Sequence, residues 1–482
     1  MKKIYIFSAF LLTLLLSLNI TAQTFDGTWK TAFVTDDDNS NGTNQRTMSV
    51  AATLGENNFV ALVNRPSTGE CYLVPYKNAT DSSGRIGDSY SGSGDPKQTL
   101  WSSGFFSCYT VNAWDIASKG DLIFVPSNDE NHSILVFESQ ADALVSYPKA
   151  IKTTTTDSLW AIDVNDAGQV FVTTQGNETT PSQVWIYDFN DGAWDNYGEL
   201  APKHTITLPD NGLAHGVAAN ADGSVLYVSN MNTGKIYAYV GNMEDGYTLS
   251  PLFNYENIDL YQVDSVTTEN VGPLGLAFMN DNNILFAAAD TYVKSSRSYD
   301  FGRIYLINPN TGAIMDTIDV AHWNYIAADS TYNNHVDKIA SGYTSTYYVD
   351  VDQAKNIYSQ SYYSWTIEKW VYSGTLPTIP LTITDVEKTD NQIPTSFTVS
   401  QNYPNPFNPS TTIEFSIGQR SPITLAVYNV QGELVTTLVN GTEFESGNYK
   451  ITFDASRLAS GTYIYRINNG VQTISKKMIL LK

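Results

Sequence analysis

Six stretches of the chain follow one pattern, and that recurrence limits the possible folds more than any other feature. They begin at Ser49 (SVAATLGENNFVALVNRPSTGECYLVPY), Ala113, Leu159, Ala214, Leu274 (rejoined at Gly302) and Tyr347. Each opens with a short apolar strand. A polar turn follows, such as Asn165-Asp166-Ala167-Gly168 or Asn220-Ala221-Asp222-Gly223, made of residues that tolerate unusual φ or bond their own backbone. A second apolar run comes next, for example Val225 to Val228, then a third with alternating aromatics, for example Ile236 to Tyr239. His204 to Leu208 exemplifies the fourth strand, which leads to the next unit. A single four-stranded sheet of this kind cannot bury both its faces. Units packed side by side around an axis can, and they leave only short edges. The expectation is an all-β chain with a six-bladed β-propeller. The stretch Thr28 to Val34 lacks a unit of its own and is expected to close the ring by pairing with the last blade. The long gap between Ala277 and Asp350 leaves room for a degenerate seventh blade.

Composition agrees with strands rather than long helices. Aromatic residues make up 12% and charged residues 16%, with 32 glycines. Lys and Arg total 27 against 49 Asp and Glu, a net charge of −22, which repels a phosphate backbone and excludes nucleic acid as the natural partner.

Residues 1–22 read as a signal peptide: Lys2 and Lys3, an apolar run from Ile4 to Leu18, and Ala22 ahead of a cleavage site before Gln23. The run is short for a membrane span, and no other stretch could serve as a transmembrane anchor. Export makes a disulfide between the two cysteines, Cys71 and Cys108, a candidate. Closing that loop would contribute roughly 4 kcal/mol in the chain-entropy picture.

After Gly374 the text changes. Residues 375–395, with Pro377, Pro380 and Pro394, read as a linker between the propeller (23–374) and a last domain (396–482). In that domain apolar residues alternate along Ile413 to Ile417, Leu425 to Val427, Tyr449 to Phe453 and Tyr463 to Ile467, with turns at Gln431-Gly432 and Asn468-Asn469-Gly470. Many short strands in so few residues predict a small Ig-like β-sandwich. Before its first full strand stands Pro404-Asn405-Pro406-Phe407-Asn408-Pro409. The prolines fix φ and remove donors, and Asn405 and Asn408 are expected to bond the local backbone left unpaired.

QNYPNPFNPSTTIEFSI, VYNVQGELVTTLV, SGTYIYRI and the closing KKMILLK, which contains Lys476 and Lys477, resemble the type A C-terminal sorting domain of type IX secretion substrates. That resemblance implies passage through the periplasm, recognition by the type IX secretion machinery, and a final place outside the cell or on its outer surface. The region from Ser49 to Gly374 resembles, by blade pattern alone, six-bladed propellers of the NHL-repeat and gluconolactonase-type superfamily.

Enzyme signatures such as HExxH, GxSxG and CxxC do not occur. Asp37, Asn39 and Asn41, with Gly42, resemble the start of a calcium loop, although position twelve is Met48 rather than a bidentate Glu. The five histidines lack metal-ligand spacing. Counting back eight residues from the glycine of each inner turn gives Asn112, Trp160 and His215, with Met48, Leu274 and Tyr347 in the equivalent places and Trp114 two further along. Such a ring could stack a sugar or grip a peptide at the mouth of the channel where inner strands begin; the blander reading, which burial favours, is that these residues plug the channel or pack blade against blade. Asp115, Asp163 and Asp350 fall on or beside the inner strands. The leading expectation is a binding or scaffolding module for extracellular glycan or peptide. The rival is a metal-dependent hydrolase or lactonase with its site in the propeller channel.

Overall fold

The computed structural model describes residues 25–34, 46–55, 58–65, 70–76, 107–108, 112–140, 143–155, 157–255, 260–262, 268–291, 302–327, 345–361, 366–383, 386–390, 394, 396–444, 446–455 and 458–482. The signal segment and the calcium-loop candidates Asp37, Asn39 and Asn41 lie outside them.

Six sheets follow one another in chain order among the described residues, and in the fifth the short strand Leu260–Gln262 precedes and pairs with the inner strand. Their inner strands are Arg46–Ala52, Ala117–Lys119, Leu159–Val164, Ala214–Ala219, Thr268–Met279 and Thr346–Val351. The sixth sheet takes its outer strand from the other end of the chain: Trp29–Val34 pairs antiparallel with Thr366–Tyr372. The N-terminal stretch therefore closes the ring as its sequence suggested. Trp29 fixes the seam, its indole N–H donating to Asp316 at 3.0 Å and its ring packing on Tyr372.

Hydrophobic burial shows that the ring is complete. Six separate clusters each join two neighbouring sheets, from Met48, Val60 and Leu62 against Ile123 and Val125 round to Tyr358 and Ile367 against Phe59 and Val63. The strands are buried on both faces, as in Gln169–Thr174 and Val225–Asn230, which explains why they read as continuous apolar runs. The gap between the fifth and sixth units holds a short helix, Val320–Ala327, and carries His322 on its exposed side.

Among the described residues, the turn that leaves each inner strand has one residue with positive φ: Gly55, Gly120, Gly168, Gly223, Asn283 and Lys355. Glycine takes that conformation without strain; asparagine is the next most tolerant residue, and lysine is the costly exception.

In the first sheet Cys71 stands directly opposite Cys108 in the ladder between Glu70–Tyr76 and Ser107–Cys108. That is the register a cross-strand disulfide requires.

The stretch expected to be a linker is largely built into the domains on either side. Asn282 Nδ2 donates to the carbonyls of Leu376 and Pro377, and Asn283 Nδ2 to that of Ile379. Asn310 accepts the N–H groups of Thr382 and Ile383 and donates to Pro380 O. Leu376 and Ile379 join the core between the last two blades, and Ile383 the core between the fourth and fifth. Prolines removed donors, but three asparagines on blade 5 supply partners, so the segment lies down as a strap. Val386–Asp390 then pairs with Gly447–Asp454 as an edge strand of the last domain.

That domain consists of two four-stranded sheets around one core containing Ile413, Phe415, Ile423, Leu425, Val427, Tyr465 and Ile467. The proline-rich stretch is stapled to its last strand. Phe407 is buried, its N–H donates to Ile479 O at 2.9 Å, and its carbonyl accepts Leu481 N–H at 2.9 Å. Asn405 does not bond its local backbone as expected. Its Oδ1 accepts Ile479 N–H at 2.9 Å and its Nδ2 donates to Lys477 O, because the final strand passes alongside. The local role falls to Asn402, which donates to Pro404 O and Thr411 Oγ1, while Asn408 is exposed.

Candidate functional site

The channel has two tiers, both set by the inner strands. In five of the six inner strands the ladder to the second strand slips, near the start at Thr47/Ser49, Leu159/Ile162, Ala214/Gly216 and Thr346/Tyr348 and midway at Pro273/Leu276. A bulge re-aims the side chain it carries. The residues at these slips include Met48, Trp160, His215, Leu274 and Tyr347, the same positions that counting back from the inner turns singled out. Here the blades nearly touch. A Cβ on Gly216 would meet Leu274 O at 2.4 Å, and one on Gly275 would meet Tyr347 O at 2.7 Å.

The structure brings Trp114, Trp160, His215 and Tyr347 together. Trp114 stacks on Trp160 with centroids 4.5 Å apart. Trp160 meets His215 edge to face at 5.9 Å, and His215 meets Tyr347 at 5.4 Å and Tyr348 at 5.0 Å. The chain of rings runs from blade 2 through blades 3 and 4 to blade 6. His215 is 1% exposed, and burial pushes its imidazole down to about 3, so it stays neutral. Its Nδ1 has no hydrogen-bond partner. Asn112 is not part of the tier; it is exposed with φ of 61°, and its carbonyl accepts from Asn128.

The second tier lies toward the inner turns and was only glimpsed in the sequence. Asp115, Asp163 and Asp350 each stand five residues before their blade's positive-φ residue, Gly120, Gly168 and Lys355. Each reaches sideways to the next blade. Asp115 Oδ2 accepts Ile162 N–H at 3.0 Å, Asp163 Oδ2 accepts Ala219 N–H at 2.7 Å, and Asp350 Oδ2 accepts Ala52 N–H at 2.7 Å. Asp115 Oδ1 also accepts Ser49 Oγ at 2.6 Å and Ile116 N–H at 2.9 Å. These bonds satisfy inner-strand donors that have no sheet partner on the channel side.

Burial raises all three acids, Asp115 and Asp350 to about 7 and Asp163 to about 6. Donated hydrogen bonds oppose that rise. Repulsion from Asp350 adds to it at Asp115, and repulsion from Asp163 adds to it at Asp350.

Above the aromatic tier the channel widens into a cavity of about 410 Å³, lined by inner-strand residues of all six blades. Asp115, Asp163 and Asp350 stand in its wall and Tyr348 in its lining. Asp166, Asp281, Gln353 and Lys355 belong to its rim. It is a well opening where inner strands end, opposite to the mouth expected from the sequence, and Tyr348, which packs on His215, links its lining to the aromatic tier. Among the described residues, no three His, Cys, Asp or Glu side chains come together as a metal-ligand set.

Residues 401–481 match the secretion system C-terminal sorting domain, which marks this chain for type IX export. The fold is a propeller followed by that β-rich tail. No curated protein matches the sequence. Among solved structures, one similar chain is a carbohydrate-active enzyme of family AA12 from Trichoderma reesei, 10% identical, covering 72% of this chain and 96% of that one, with a TM-score of 0.41. The calcium-binding regucalcin of Agrobacterium tumefaciens is 8% identical, with 69% and 94% covered and a TM-score of 0.37. The Swd1 β-propeller domain of Myceliophteria thermophila is 7% identical, with 67% and 83% covered and a TM-score of 0.38. No helix among the described residues is long and apolar enough to cross a membrane.

Proposed function

We propose that this is an exported binding module, without chemistry of its own, that seats part of an extracellular glycan or peptide in the channel well. The observation that carries this reading is the well itself: about 410 Å³ of space, walled by acceptors, with Tyr348 and Phe278 in its lining. Pockets of that size and make-up suit one sugar unit or one side chain. A metal-dependent hydrolase would ask its inward carboxylates to converge on one ion. Here Asp115, Asp163 and Asp350 are each engaged by a neighbouring blade's N–H, which favours a structural and binding role. Calcium at Asp37, Asn39 and Asn41 is a separate part of this reading, tested by calorimetric titration. The sorting tail delivers the propeller through the periplasm to the outside or the outer surface.

The test is an array of glycans and peptides probed with the wild type and with Gln353→Trp, a rim change at an exposed position of the well's lining. Ligands bound by the wild type should be lost in the variant. Ligands retained undiminished by Gln353→Trp would place the seat elsewhere.

A further inference from the structure

We infer that the well takes a cationic group, an alkylammonium or guanidinium such as a lysine or arginine side chain presents; this rests on the well being the ligand seat. The lining of the well holds the carboxylates of Asp115, Asp163 and Asp350 on three blades, with the buried Asp352 near Asp350. Its two lysines stand near the inner turns. Lys119 donates to the carbonyls of Asn165 and Asp166, and Lys355 lies 3.8 Å from Asp281.

The acceptors are not saturated. A carboxylate offers about four lone-pair directions. Asp115 receives three donors, Asp163 two (Ala219 and Val164 N–H) and Asp350 two (Ala52 and Val351 N–H). The unfilled directions, about five in all, match the three donors of an ammonium or the five of a guanidinium and exceed what one neutral amide N–H supplies.

Two further features fit a cation. Tyr348, 4% exposed, lines the same well, and an aromatic face attracts a positive group. Thr53 also lines it; it is 4% exposed, and its hydroxyl has no partner within the protein. The carboxylates repel one another across the axis, and a cation between them removes that repulsion. Protons held by Asp115 and Asp350 near neutral pH should then leave as the cation enters.

The probe is Nα-acetyl-lysine amide, titrated calorimetrically at pH 6.5 into the full exported protein in two buffers of different ionisation enthalpy. The controls are the Nε-acetylated neutral analogue, glucose and calcium chloride. The inference predicts that the cationic probe binds with net proton release and the neutral analogue does not. Binding should weaken about tenfold or more in Asp163→Asn, and be lost in Gln353→Trp. Should Asp163→Asn fail to fold, the proton release in the wild type still decides. If the neutral analogue or glucose binds in the well and the ammonium does not, the seat stands and the cation is overturned. Calcium displacing the probe also overturns it. If Gln353→Trp blocks nothing, the seat itself falls.

Discussion

Asp350 of the last blade accepts the main-chain N–H of Ala52 of the first at 2.7 Å, across the seam where the ring closes. Two like bonds join blade 2 to blade 3 and blade 3 to blade 4. Removing the acceptor leaves a buried donor unmet, which costs about 1–3 kcal/mol. Asp350→Ala should lower the melting temperature, and Asp350→Asn, which keeps an oxygen toward Ala52, should lower it less. Equal melting of all three proteins would show that the bond contributes nothing to closure.

The same three acids set a pH dependence. Asp115, Asp163 and Asp350 hold protons in the folded state to about 7, 6 and 7, well above their value in an unfolded chain. The native state therefore binds more protons than the unfolded state between about pH 4 and pH 7. Their contribution to stability is present in full below pH 4 and is lost as pH rises through 6 and 7. Each pH unit of displacement is worth about 1.4 kcal/mol at most per group. Chemical unfolding from pH 5 to pH 8 should show stability falling. The triple variant Asp115→Asn, Asp163→Asn, Asp350→Asn should flatten that slope, and an unchanged slope would remove the assignment.

The strap changes where the propeller ends. Leu376, Ile379 and Ile383 are buried, and each such side chain is worth about 1.5–3 kcal/mol. A propeller cut after Ile383 should melt well above one cut after Ser373. Asn282→Ala, which removes a side chain donating to Leu376, Pro377 and Thr378, should fall between them in the longer form. Matching melting curves for the two lengths would mean the strap carries no stability.

Ring closure and blade number were legible because two-sided burial writes continuous apolar runs between polar turns, as around Asn165 and Asn220. The strap was not legible. Pro377 and Pro380 read as a spacer, and the side chains that hold them down, Asn282, Asn283 and Asn310, lie far away in sequence. Within the site, Trp114, Trp160, His215 and Tyr347 could be found because the inner turns give a fixed origin for counting. Their mutual packing could not, because it depends on bulges that a period of two does not reveal. Asp115, Asp163 and Asp350 stood in view, but their sideways bonds belong to the ring and not to any one blade.

The tail should fail as a unit. Phe407 is 2% exposed in its core, and truncation of such a ring costs about 3–5 kcal/mol. Phe407→Ala, or deletion of Met478 to Lys482, should leave folded propeller inside the cell envelope. Asn405→Ala, which removes bonds to Lys477 and Ile479, should slow export less. Fractionation followed by immunoblotting separates the outcomes, and normal release of the deletion variant would contradict the assignment of this module as the export signal.

The most direct measurement on the whole account is diffraction from crystals of the exported protein grown with Nα-acetyl-lysine amide. The account predicts six blades about one axis, with the ammonium among Asp115, Asp163 and Asp350 above the Tyr348 ring. Probe density at the opposite mouth, outside Trp114 and Trp160, with the well holding only solvent, would contradict it.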